Sequence, residues 1–269
     1  MMRSMYKLRQ VPSEAQIRKR LRKIIFGSKL HCPECFNQNI IRMQERYRCR
    51  ICRTKFSLLS HTWLKDLKLS LPVFWLVCWC WVEAVPVKQA LKLTGLSEDA
   101  VRRWYERFRL RLPHYDANLS DTVQMDEAYF KNWILVMAKD SSRQLAHVMV
   151  SESSVQRHHA AQFLERYVAP ETNLYTDGAG IYRGIESWWP VNHETDIHKK
   201  FEFGKTSEIE GAFGNLRTFI RRMYHHVTPA KLPSVVSEFS LRFCRKDIFE
   251  SPDTYLEKSL KLKNSGPID

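Results

Sequence analysis

The stretch Val123-Gln124-Met125-Asp126-Glu127-Ala128-Tyr129-Phe130 decides how the rest of the chain is read. It is a short apolar-rich run, which predicts a strand, and it carries two adjacent carboxylates. A second strand-like run, Asn173-Leu174-Tyr175-Thr176-Asp177, ends on an acid and is broken at once by Gly178-Ala179-Gly180. A third acidic element, Ser207-Glu208-Ile209-Glu210-Gly211-Ala212-Phe213, opens a basic helix. Two aspartates on strands and a glutamate on a later helix, Asp126, Asp177 and Glu210, can converge on a pair of Mg²⁺ ions. Carboxylates are the hard oxygen ligands that hold such ions, and two ions about 3.5–4 Å apart serve both the attacking and the leaving oxygen of a phosphodiester.

Two choices stay open on pattern alone. Side chains alternate along a strand, so Asp126 shares a face with Gln124 and Ala128, while Glu127 shares one with Met125 and Tyr129. Only one of the two is expected to enter a common pocket. On the helix, Ile209, Phe213, Leu216, Ile220 and Met223 form an apolar stripe, and Glu208 and Glu210 flank it on opposite sides. Arg217, Arg221 and Arg222 lie further along, placed to follow a DNA backbone.

Outward from Val123, the runs Trp133–Lys139 and Leu145–Ser151 predict an antiparallel meander. A helix over Val155–Val168 follows, then the strand ending at Asp177, then a short run near Pro190–His193. Three strands, a helix, another strand and a late acid-bearing helix is the order of a ribonuclease H-like fold. A helix over about residues 229–249, with Leu232, Val235, Val236, Phe239 and Phe243 on one face, completes a domain read as residues 121–250. Pro113–Ser120 is read as the linker before it, and residues 251–269 as a C-terminal tail.

The N-terminal half reads differently. Residues 1–30 hold nine Lys/Arg against one Glu, a basic helical arm with Ile17, Leu21, Ile24 and Ile25 at helical spacing. Within residues 31–60, Cys32-Pro33-Glu34-Cys35 and Cys49-Arg50-Ile51-Cys52 are two Cys-x-x-Cys pairs thirteen residues apart. Four thiolates on two turns enclose one tetrahedral Zn²⁺ and leave no open position, so the site is structural. The intervening runs predict the hairpin of a zinc ribbon, whose Arg42, Arg46 and Arg48 are candidate DNA contacts. Residues 61–112 contain a tryptophan-rich apolar helix and then Val87–Tyr105, which reads as helix-turn-helix. Thr94-Gly95-Leu96 supplies the break, Ser97 the N-cap, and Arg102, Arg103, Arg107 and Arg109 a basic second helix.

Composition agrees with a nucleic-acid partner. The chain has 269 residues, 44% hydrophobic, with a net charge of +14, which favours a packed core and a polyanionic ligand. The seven cysteines do not form a disulfide framework, since four are taken by the ribbon. The apolar run at Leu69–Val82 is too short for the roughly 20 residues of a spanning helix, and no signal peptide is evident. His158-His159 and His225-His226 read as surface or DNA-facing pairs, and Cys78, Cys80 and Cys244 as small core residues.

In this order, the motifs resemble the insertion-sequence DDE transposases with an N-terminal zinc ribbon, the ISXO-like group. Tyr47-Arg48-Cys49-Arg50-Ile51-Cys52 looks like their second zinc knuckle. Met125-Asp126-Glu127-Ala128-Tyr129, Tyr175-Thr176-Asp177-Gly178 and Ile209-Glu210-Gly211-Ala212-Phe213, followed by Tyr224-His225-His226-Val227, resemble their three acidic motifs. The chain departs from the family in a short connection after Asp126 and in Lys205-Thr206-Ser207-Glu208, where an asparagine-threonine pair is usual. The resemblance implies Asp126, Asp177 and Glu210 as catalytic ligands of two Mg²⁺ (Mn²⁺ substituting) and one structural Zn²⁺. It implies binding of double-stranded DNA at terminal inverted repeats, cleavage to a 3′-hydroxyl, and strand transfer into target DNA by a homodimer. A bacterial cytoplasmic, nucleoid-associated protein is expected. The alternatives are an inactive relic and a DNA-binding regulator without catalysis; the regulator would leave the three acids apart.

Overall fold

In the computed structural model, residues 10–151, 154–196 and 206–260 are described. The chain forms two compact units, one comprising Met1–Pro113 with Asp247–Asp269 and the other His114–Lys246.

In the first unit, α1 (Glu14–Phe26) starts from a capping box in which Ser13 and Gln16 satisfy each other's backbone N–H. Its Ile17, Leu21 and Ile25 are buried, as the helical spacing predicts. The ribbon follows as β1 (Ile40–Met43), β2 (Arg46–Cys49) and β3 (Lys55–Phe56), an antiparallel sheet with Ile40 opposite Cys49. This register draws the two Cys-x-x-Cys turns together, and the four sulfurs lie within 4.8 Å of one another. Cys32 and Cys52 Sγ are 3.5 Å apart, and Cys35 and Cys49 Sγ 3.6 Å. A tetrahedron with Zn–S bonds of about 2.3 Å has edges of about 3.8 Å, so the cluster suits zinc.

The helix α2 (Leu71–Val82) is apolar all round and buries Phe74, Trp79 and Trp81, which accounts for its unbroken hydrophobicity without a membrane. Among the described residues, no helix is long and apolar enough to cross a bilayer. The helix-turn-helix forms as α3 (Val87–Thr94) and α4 (Glu98–Arg109). Gly95 takes the left-handed conformation between them, φ 69°, and Ser97 Oγ accepts from the Ala100 N–H.

In the second unit, β4 (Thr122–Phe130), β5 (Trp133–Asp140) and β6 (Leu145–Val150) make the meander. Then come α5 (Arg157–Tyr167), β7 (Asn173–Asp177), β8 (Asn192–Asp196), α6 (Ser207–Met223) and α7 (Leu232–Cys244). The sheet order is β6-β5-β4-β7-β8, with β7 parallel to β4 and β8 parallel to β7. Three antiparallel strands followed by two parallel ones on the far side of the first is the ribonuclease H-like arrangement. Each face of the sheet carries its own core. Val123, Met125 and Val136 pack with Ala160, Phe163 and Leu164 of α5. Ala128, Leu135 and Met137 pack with Ile209, Phe213 and Leu216 of α6 and Val236 and Phe239 of α7. The inner strand β5 is therefore apolar on both sides and lacks the alternation of a half-exposed strand.

One segment departs from the sequence reading. Residues 252–259, taken for part of a tail, form α8 (Pro252–Ser259) within the first unit. Tyr255 is fully buried, its hydroxyl donates to the Phe108 carbonyl at 2.9 Å, and its ring lies 4.9 Å from that of Trp81. An eight-residue helix has too few apolar positions to show a periodic stripe, so the signal was below what pattern can detect. Residues 1–9 of the basic arm and 261–269 lie outside the described residues.

The ribbon makes a direct prediction. Without a cation, burial pushes the Cys32 thiol up to about 12, whereas the Thr54 hydroxyl and backbone N–H hold Cys52 down at about 6. A cation that takes all four as thiolates removes this mismatch and contributes folding free energy. Purified protein is expected to carry one zinc per chain, and stripping it with a chelator should abolish amide exchange protection across Ile40–Cys49. Unchanged protection after complete zinc removal would refute the structural role.

Candidate metal and nucleic-acid site

The geometry of the site begins with a ladder that stops. Strands β4 and β7 pair in parallel at Thr122↔Asn173, Val123↔Leu174 and Gln124↔Tyr175. Two residues further along each strand stand Asp126, midway along β4, and Asp177, the last residue of β7, just past the carboxyl end of the ladder between these adjacent parallel strands, where open sheets leave a crevice for ligands. Carboxylate oxygens of Asp126, Glu127 and Asp177 all lie within 4.8 Å of one another. The alternation argument allowed only one of Asp126 and Glu127 into this space, and the structure brings in both. Past the end of the β4–β7 ladder, with β4 still paired to β5, Glu127 comes to the crevice from the other face.

Each acid is held by a named donor. Asp126 Oδ1 accepts from the Glu127 N–H at 2.7 Å, and Asp177 Oδ1 from the Ala179 N–H at 3.0 Å, in the turn that follows β7. Glu127 Oε2 accepts from the Tyr182 hydroxyl at 2.5 Å. Burial raises the Glu127 carboxyl above the usual range; the Tyr182 hydrogen bond opposes this, and the charges of Asp177 and Asp126 add to it. The buried Tyr182 phenol is pushed well above its ordinary value by desolvation and by the Glu127 charge.

The helix bearing the third acid is attached to the same strand. Helix α6 has no side-chain cap of its own at Thr206. Gln124 of β4 supplies one: its Oε1 accepts from the Glu208 N–H at 2.9 Å and the Ile209 N–H at 3.1 Å. Two of the orphan donors of the first turn are thus satisfied from a strand residue that shares a face with Asp126. Glu208 is engaged in an ion pair with Lys139, whose side chain is almost fully buried on β5. Glu210 is exposed, and it is not in the acidic group formed by Asp126, Glu127 and Asp177. At about 100° per residue, Arg217 and Arg221 fall within about 20° of Glu210 around the helix, and both are exposed. With Phe130, Lys131, Ile220 and His225 they line an open groove of about 440 Å³.

The other candidate DNA contacts divide by exposure. Arg42, Arg46, Arg103 and Arg222 are exposed and Arg48 partly so. Arg102 is paired with Glu98 at 2.7 Å. Arg107 lies 4.4 Å from the Trp104 ring centroid and donates to the Trp63 carbonyl at 3.3 Å. Arg109 is only 7% exposed. Of the four arginines of α4, Arg107 and Arg109 are engaged within the unit, while Arg102 forms an exposed pair along the helix and Arg103 is exposed. Sequence reasoning also missed Tyr182 and the capping role of Gln124, because both act on residues far away in the chain.

Comparison with known proteins places two families on the chain. Residues 12–55 match the transposase zinc-ribbon domain, and residues 131–243 match the ISXO2-like transposase domain. The second match includes Asp177 and Glu210 and begins just after Asp126 and Glu127. Among solved structures, the catalytic core domain of BIV integrase is similar at 15% identity and a TM-score of 0.36, over 47% of this chain and 85% of that one. No curated protein matches.

Two measurements check the site's construction. Gln124→Ala leaves two helix N–H groups without their acceptor and is expected to destabilise the chain by about 1–2 kcal/mol in urea unfolding; a loss under about 0.3 kcal/mol would exclude the cap. Ionising Glu127 in the metal-free fold opposes folding, because its carboxyl is held above its ordinary range. That cost is absent below the unfolded-state pKa and grows as pH rises past it. Glu127→Gln should therefore raise the metal-free melting temperature at neutral pH, by roughly 2–4 °C for each kcal/mol relieved, and leave it unchanged below about pH 4. Equal shifts at both pH values would contradict this.

Proposed function

Because the chain belongs to the ISXO2-like transposases, with the transposase zinc ribbon ahead of the transposase domain, we propose that it cuts and joins DNA, using Asp126, Asp177 and Glu210 to hold divalent cations. The observation that carries this reading is the convergence of Asp126 and Asp177 just past the end of the ladder between two adjacent parallel strands. The acids fit such an ion. Oxygens on opposite sides of Mg²⁺ are about 4.2 Å apart, so a group within 4.8 Å needs only small side-chain rotations. Bound Mg²⁺ or Mn²⁺ supplies Lewis-acid stabilisation of the phosphodiester and a reactive oxygen nucleophile at neutral pH.

The chain's own residues orient the reaction. Asp126 and Asp177 are anchored by backbone N–H groups, which limits their motion as charge develops. Glu210 joins them from α6, whose first turn Gln124 ties to β4. Arg217 and Arg221, on the same side of α6 as Glu210, receive the phosphates flanking the cut, with Arg222 beside them. Water opens a terminal phosphodiester to leave a 3′-hydroxyl, and that hydroxyl then attacks a phosphodiester of target DNA in line. The zinc ribbon, through Arg42, Arg46 and Arg48, and the helix-turn-helix, through Arg103, grip the terminal inverted repeats. Arg102 and Arg107 act through the architecture of α4. Joining two ends in one event calls for two protomers.

The test is incubation of the full chain with labelled terminal-repeat DNA, a target plasmid and Mg²⁺ or Mn²⁺, with joined product scored on a gel. Asp177→Ala and Glu210→Ala are each expected to reduce product roughly 100-fold or more while leaving repeat binding intact. Joined product at wild-type levels from either variant would remove that residue from the proposed set.

A further inference from the structure

We propose that Glu127 is itself a ligand of the divalent cation, held for that task by the hydroxyl of Tyr182, and that Asp126, Glu127 and Asp177 form the cation site of the chain before DNA is bound. This rests on the reading of these acids as a metal site and adds one residue to it. It also assigns Tyr182 as a positioning residue.

The placement of Glu127 is hard to explain otherwise. Its strand face is the one on which Val123 and Met125 enter the core shared with α5. A carboxylate there loses hydration, and burying a charge without a counter-ion is strongly unfavourable. The side chain nevertheless comes within 4.8 Å of two further carboxylates, which adds like-charge repulsion. A glutamine in its place would accept the Tyr182 hydrogen bond without either penalty. What a glutamine would not do is donate a full negative charge to a shared cation.

Tyr182 is built to hold that carboxylate. Its side chain is completely buried, packed in the same core as Val123 and Met125, and its hydroxyl donates to Glu127 Oε2 at 2.5 Å. It lies on the short 3₁₀ turn Gly180–Tyr182, immediately after the segment that presents Asp177. One loop thus delivers an acid and fixes the orientation of a second. Metal-ligating carboxylates are usually hydrogen-bonded in this way, and removing such a donor typically weakens metal affinity by 10–100-fold. Glu210 contrasts with Glu127 on every count. It is exposed, it sits on a separate helix, and it lies outside the three-acid group.

The experiment is titration of the zinc-loaded full chain, without DNA, by Mn²⁺, with free Mn²⁺ followed by its electron paramagnetic resonance signal. Glu127→Gln should raise the Mn²⁺ dissociation constant at least tenfold. Tyr182→Phe, which keeps both the carboxylate and the ring, should raise it by about tenfold. Wild-type Mn²⁺ affinity in a folded Glu127→Gln protein would overturn the proposal. If that variant fails to fold, wild-type affinity in Tyr182→Phe overturns it instead. Asp177→Asn separates the two readings. If Asp177→Asn loses Mn²⁺ binding and Glu127→Gln does not, only the role of Glu127 falls. If neither loses it, the metal-site reading of all these acids falls with it.

Discussion

The parallel ladder between β4 and β7 is the constraint on which the site depends. Backbone hydrogen bonds fix Gln124 opposite Tyr175, and from that register the positions of Asp126 and Asp177 follow. A slip of one residue would turn every side chain of one strand to the opposite face, and it would separate the acids while breaking both cores. Burial of Val123 and Met125 on one side and Ala128 on the other makes such a slip costly. The apolar packing of the sheet is therefore what sets the acid geometry. Gln124 extends the same constraint to α6 by taking the place of a local cap.

Against this rigid frame stands an electrostatic conflict. Three carboxylates share a small volume, and one of them is half-buried beside a buried phenol. Sites of this kind reduce the stability of the empty protein, and the surrounding fold must supply enough packing to tolerate them. Here two separate cores clamp the central strands from both sides, so the repulsion is opposed by β4 and β5 together.

Much of this was legible in the sequence, and the limits have physical causes. The ribbon could be read because metal geometry demands matched cysteine spacing, and the observed hairpin spans the interval between the two pairs. The five strands could be read from apolar runs and glycine breaks, and the helix-turn-helix from Ser97 and Gly95. Strand alternation misjudged Asp126 and Glu127, because opposite faces of the strand do not keep the longer Glu127 side chain out of the space that opens where the β7 ladder ends. For α4, charge counts do not reveal that the Arg107 guanidinium lies on a tryptophan. Glu208 and Glu210 are equivalent by helical periodicity, and only Lys139, an element away, distinguishes them.

The return of α8 to the N-terminal unit has a consequence for biosynthesis. That unit is discontinuous: Tyr255, which fills the space beside Trp81 and Phe108, is translated only after all of residues 114–246. A nascent chain that has completed the ribbon and both helices of the helix-turn-helix still exposes the apolar floor on which α8 will lie. The N-terminal unit reaches its final packing only when the acid-bearing unit has already left the ribosome. Prematurely terminated chains consequently present an unfinished N-terminal fold, open to proteolysis.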